Sequence, residues 1–84
     1  MDPDRKQSAG KELMRISAAA GAAGVSVQTL EYYIMLGLIE PLRPAGKRGR
    51  WFDADHVKRI RLIRRLNATG YTLQAIRETY LRER

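Results

Sequence analysis

A mainly α fold, about four short helices with a small two-stranded β-hairpin between the second and the third, is what this sequence predicts. Three observations carry that prediction. Four stretches of apolar residues at helical spacing each open near a residue suited to capping a helix, Ser17, Ser26, Asp53 and Thr72. Glycines stand where those helices should stop, at Gly24, Gly37 and Gly70. Between Gly37 and Asp53 the helical period gives way to Pro41, Pro44, Gly46 and Gly49 around a basic tip, the composition of a hairpin.

The elements follow in order. Residues 1 to 13 mix charges with Pro3, Ser8 and Gly10 and show no apolar period, so a disordered tail is expected there and a single domain over residues 14 to 84. Arg5, Lys6 and Lys11 in that tail are expected to touch nothing specific. Ser17 to Ala23 is almost all alanine, the strongest helix former, with Ser17 near the cap. Ala19, Ala20 and Ala23 permit a close helix crossing.

Gly24-Val25-Ser26 is a short turn into a second helix predicted over Val27–Leu36. Ser26 suits the cap, and Val25 is spaced to pack on Leu30 as a hydrophobic staple. At about 100° per residue, Val27, Leu30 and Ile34 fall on the side expected to face the core, and Gln28, Thr29 and Tyr32 on the other. Tyr33 lies between the two. Two short helices around such a turn read as a helix-turn-helix, whose second member usually enters the DNA major groove.

Pro41 and Pro44 each lack a backbone donor and restrict any strand to an edge. Residues 45 to 49 form a flexible tip, and Arg50-Trp51-Phe52 the return strand of a wing. Trp51 is expected to pack on that hairpin. Asp53 should cap the third helix, with Phe52 stapled to Val57 and the helix running to about Thr69. Ile60, Ile63 and Leu66 form its packing stripe while Lys58, Arg61 and Arg65 project from the opposite face. Tyr71, Thr72 and Ile76 repeat the staple and cap for a last helix that carries Leu73, Ile76 and Tyr80 inward.

At 84 residues and 44% hydrophobic content there is one small core and no room for a deep enclosed active site. Without cysteine there are no disulfides, no thiolate metal site and no cysteine nucleophile. The single histidine, His56, has Asp53 and Asp55 close in sequence but no nucleophile or metal set, and reads as a surface residue. No enzyme activity, metal or cofactor is expected. No apolar run approaches the ~20 residues of a membrane span and the first residues lack the core of a signal peptide, so a soluble cytoplasmic protein is expected. The formal net charge is +7, and residues 41 to 84 hold twelve bases against four acids, a bias toward a polyanion.

The order IS-AA, GVSVQTLEYY, GLIEP, RGRWFDADHV and RLIRRLNATGYTLQAIRE resembles the DNA-binding domain of the MerR family over about Ile16 to Leu81. That resemblance implies a winged helix-turn-helix that binds double-stranded DNA to regulate transcription, bending or untwisting its operator. By position, Thr29, Tyr32 and Tyr33 stand in the family's Thr-Leu-Arg-Tyr-Tyr run, Arg43 and Arg50 match its wing arginines, and Phe52 its structural aromatic. The expected DNA-contacting set is therefore Ser26, Gln28, Thr29, Tyr32, Tyr33, Arg43, Lys47, Arg48, Arg50, Lys58 and Arg61. The helix Val27–Leu36 would lie in the major groove and the Arg43–Arg50 wing on phosphates.

Two residues depart from the family pattern. Glu31 occupies the usual arginine position, where a paired surface charge or a cytosine contact is open to it, and Ile34 replaces a usual acid. Within the 84 residues no long dimerising helix or effector-binding part follows, so a monomer is expected in isolation and a homodimer on DNA. Two rivals remain: an architectural DNA-bending factor similar to small phage excisionases, and an adaptor with a protein partner resembling chaperone modulators of this fold.

Overall fold

Alanine loses no side-chain entropy on entering a helix, and the alanine-rich run forms α1, Ile16–Ala23. The structure, a computed structural model, describes residues 12–79. Expectations about the tail over residues 1–11, with Arg5, Lys6 and Lys11, and about Tyr80, lie outside the described residues. The cap of α1 is Arg15, which contributes no side-chain hydrogen bond, and Ser17 sits inside the helix. The helix therefore starts one residue before the serine, held by its tertiary packing rather than by a hydroxyl cap.

Ala19, Ala20 and Ala23 are buried, and with so little side chain between the backbones α1 packs closely on α2, Val27–Met35, and on α3, Ala54–Ala68. Gly24 takes the left-handed backbone between α1 and α2 (φ 79°), its amide returning to the carbonyls of Ala20 and Gly21. Gly37, at φ 82°, does the same after α2 and turns Leu38 and Ile39 into the core. A fourth helix, α4, spans Leu73–Thr79 and packs on α3. Thr72 Oγ1 accepts from the amide of Ala75, which supplies its cap, and Tyr71 before it is 44% exposed.

Leu30, Leu38, Ile39, Phe52, Ile60, Ile63 and Ile76 are completely enclosed, each contributing about 1.5–3 kcal/mol of transfer free energy. The expected stripe on α2 is corrected by this core. Val27 is 39% exposed, whereas Tyr33 is 4% exposed and joins Leu30. The packed face of α2 is centred between residues 30 and 33, the side on which α1 packs and near which Arg64 of α3 lies by Tyr33. Ile34 lies at its margin, half-buried against the core.

The two-stranded hairpin is also corrected. Among the described residues no strand forms; the wing is an extended loop closed by one antiparallel bridge, Leu42 with Trp51. Both of its hydrogen bonds are made, at 2.8 and 2.9 Å. Pro41 and Pro44 flank the bridge without donors, Gly46 and Gly49 turn at positive φ, and the next residue, Phe52, pairs instead with Met14 on its other side. The short segment Trp51–Phe52 is thus held between the wing and the residue pair that leads into α1.

Candidate nucleic-acid interface

The presented helix begins with a double contact at its cap. Ser26 Oγ accepts from the Thr29 amide and donates to Thr29 Oγ1, both at 3.0 Å. Thr29, half-buried, therefore spends part of its hydroxyl on the cap, while Gln28, Glu31, Tyr32 and Met35 are exposed. Residues 28, 31 and 35 are spaced to share one outward face. Tyr33 is in the core rather than at the surface; burial pushes its phenol above the ordinary range, a trend that Arg64 opposes.

The wing is tied to α2 by charge. Arg50 donates from Nη1 and Nη2 to the two carboxylate oxygens of Glu31, each at 2.9 Å. The hydrogen bonds from Arg50 hold the Glu31 carboxyl below its ordinary range, against the opposing effect of desolvation, and raise Arg50 in return. Arg43, Lys47 and Arg48 remain exposed on the loop. Arg50, expected on phosphate, is turned onto α2 instead.

Trp51 is the post on which the wing tip is folded. Its indole Nε1 donates to the Arg48 carbonyl at 3.0 Å, the Arg15 guanidinium lies 4.0 Å from the ring centroid, and the Lys47 ammonium 4.4 Å from it. Arg15 also donates to the Arg48 carbonyl at 3.4 Å. Sequence reasoning did not single out Arg15; 33 positions separate it from Arg48, and only its place just before the first helix, opposite a return strand, carries any signal.

His56 is corrected from a surface residue to a clamp. Its ring is half-buried, edge-on to Phe52 at 5.5 Å, with Nε2 2.9 Å from the Glu40 carbonyl and Nδ1 2.9 Å from Asp53 Oδ1. Asp53 in turn accepts from the His56 amide at 3.1 Å, completing a reciprocal cap at the start of α3. A proton on Nε2 serves the Glu40 carbonyl in both charge states; Nδ1 accepts from the Asp53 amide when neutral and donates to the carboxylate when charged. For Asp53, burial pushes the carboxyl up, and the hydrogen bonds from the His56 side chain and amide outweigh it and hold the group low.

On α3, Lys58, Arg61 and Arg65 are exposed on the face away from Val57, Ile60 and Ile63. Arg61 turns toward α1 and donates to the Ala22 carbonyl at 2.8 Å, a cation at the negative end of a helix. Lys58 makes no ion pair among the described residues. The geometry joins α2 and the wing into one surface and places the basic face of α3 beside the end of α1. Among the described residues no three His, Cys, Asp or Glu come together as a metal site.

A family model described as MerR HTH family regulatory protein matches residues 14–83. The chain belongs to the MerR family. The mercuric resistance operon regulatory protein of Pseudomonas fluorescens is 38% identical over 68 residues, 80% of this chain and 46% of that protein. The nodulation protein NolA of Bradyrhizobium sp. (strain NC92) is 38% identical over 63 residues, 75% of this chain and 27% of its own. The chain thus spans less than half the length of these curated relatives. Among solved structures, the transcription regulator PbrR691 from Ralstonia metallidurans CH34, crystallised in complex with lead(II), superposes with a TM-score of 0.70 at 34% identity, covering 77% of this chain and 51% of that one. With no cysteine in the sequence and no cluster of metal-ligating residues among those described, the residues of this MerR domain do not fit a soft-metal site.

Proposed function

We propose that this MerR domain binds double-stranded DNA in the cytoplasm to regulate transcription, with α2 in the major groove and the wing on the flanking phosphates. The observation that carries the reading is the joined surface: a capped helix presenting Gln28 and Tyr32 beside a loop that presents Arg43, Lys47 and Arg48. In this reading Gln28 and Tyr32 approach base edges, Ser26 and Thr29 hold the helix start and meet the backbone, and the buried ring of Tyr33 seats the helix. Arg43, Lys47, Arg48, Lys58 and Arg61 supply phosphate contacts. On an operator, two copies would occupy half-sites one helical turn apart, about 34–36 Å.

The test is the salt dependence of duplex binding for the chain and for Lys47→Ala and Arg48→Ala. Each variant should bind all sequences more weakly and lower the slope of log affinity against log salt by about one. Unchanged slopes in both would remove the wing from the interface. Duplex binding with bending but no enriched sequence would support the excisionase-like role, and capture of a protein ligand in the absence of any DNA binding would support the adaptor.

A further inference from the structure

Glu31 is the single acid of α2, and residues 42 to 52 contain none. The other charged residues of these two segments are all basic. An unpaired carboxylate there would repel a phosphate backbone, but the two-pronged contact from Arg50 at 2.9 Å on each oxygen cancels that charge and fixes the plane of the carboxylate. A carboxylate offers about four lone-pair sites, of which the guanidinium uses two. The side chain keeps 46% of its surface exposed, on the outward face it shares with Gln28 and Met35, and Met35 is itself 70% exposed. Acceptor capacity remains, it is oriented, and it points out of the helix that the reading above places in the groove.

We propose that Glu31 selects cytosine at one position of the DNA site, with Arg50 as its positioning residue. This rests on α2 being the groove helix. In the major groove cytosine presents an N4 amino donor and no acceptor; guanine presents N7 and O6 and thymine O4, all acceptors that a carboxylate repels. Adenine has an N6 donor but sets the N7 acceptor beside it, so the second carboxylate oxygen is repelled there too. Arg50 then acts through Glu31, to which it commits two of its five N–H donors.

The experiment selects the tightest duplexes from a randomised pool with the 84-residue chain, then measures competition by single-base variants of the selected site for the wild type, Glu31→Gln, Glu31→Ala, Arg50→Ala and Arg50→Lys. The wild type should prefer cytosine at one position by about tenfold. Glu31→Gln should move that preference toward adenine, whose N6 and N7 suit an amide, and Glu31→Ala should erase it. Arg50→Ala and Arg50→Lys should weaken the same preference, and Arg50→Lys, which keeps the charge, should leave the salt slope unchanged. All four changes lie at exposed or half-exposed positions, and circular dichroism confirms that each variant is folded.

Cytosine preference unchanged in both Glu31 variants overturns the proposal while DNA binding stands. A cytosine preference unchanged in both Arg50→Ala and Arg50→Lys also overturns it, by showing that Glu31 is not positioned by Arg50. Absence of salt-sensitive duplex binding by the wild type refutes the DNA reading and this proposal with it.

Discussion

Replacing Asp53 with alanine removes two things at once, the acceptor for the His56 amide and the anionic partner of the His56 ring. Losing an N-cap costs about 0.5–2 kcal/mol, and a hydrogen bond to a charged group contributes about 1.5–3 kcal/mol. The two overlap in one carboxylate, so they do not add in full and the combined loss should be about 2–3 kcal/mol. For a domain of this size that corresponds to a fall of roughly 10–20 °C in Tm.

Urea denaturation of the wild type, Asp53→Ala, His56→Ala and the double variant separates the pair from its surroundings, with a coupling of about 1–2 kcal/mol expected. Asn is as good a cap as Asp, so Asp53→Asn isolates the charge. Because the folded Asp53 carboxyl is held below its ordinary value near 3.8, its contribution is complete above that value and disappears as pH falls through the lower folded one. The stability difference between wild type and Asp53→Asn should therefore shrink as the pH is lowered through the acid range. A coupling near zero, or a difference that does not shrink as the pH falls below the ordinary Asp53 value near 3.8, would refute the reasoning.

Ser26→Ala should destabilise the domain by about 1 kcal/mol in the same denaturation assay, since it removes the cap of α2 and the hydroxyl contact to Thr29. Gly49→Ala should cost about 1–2 kcal/mol, because φ is +87° and the new methyl would lie 2.6 Å from Arg15 Nη1. It should also displace Arg15 from the single tryptophan, which a shift in Trp51 emission would report. Phe52→Ala, at a position with no exposed surface that pairs with Met14 beside the Leu42–Trp51 bridge, should cost about 3–5 kcal/mol, enough to leave the domain largely unfolded in mild urea.

Local chemistry is what the sequence makes legible. Ser26, Asp53 and Thr72 cap because each lies directly before an apolar period, and Gly24 and Gly37 stop helices because they alone accept the left-handed backbone there. The burial of Val27 is less legible than that of Leu30. Stripes centred on 27, 30 and 34 or on 30 and 33 differ by less than a quarter turn, and which one is buried depends on where α1 and α3 approach. The hairpin reduces to a bridge because Phe52 finds a second partner in Met14, a choice made by the tertiary structure.

The pairing of Glu31 with an arginine is legible as a charge argument, but Arg50 lies 19 positions away and only the closed wing selects it. His56 misleads for the same reason: its spacing to Asp53 is local, whereas its contact to the Glu40 carbonyl, which seats the base of the wing, is not.

The most direct test is the affinity of the chain for its selected duplex as a function of salt. With Arg43, Lys47, Arg48, Lys58 and Arg61 on phosphates, log affinity should fall against log salt with a slope of about −4 to −5 per copy bound. A slope near zero, or no duplex binding at low salt, would contradict a DNA-binding role for the surface built by α2 and the wing.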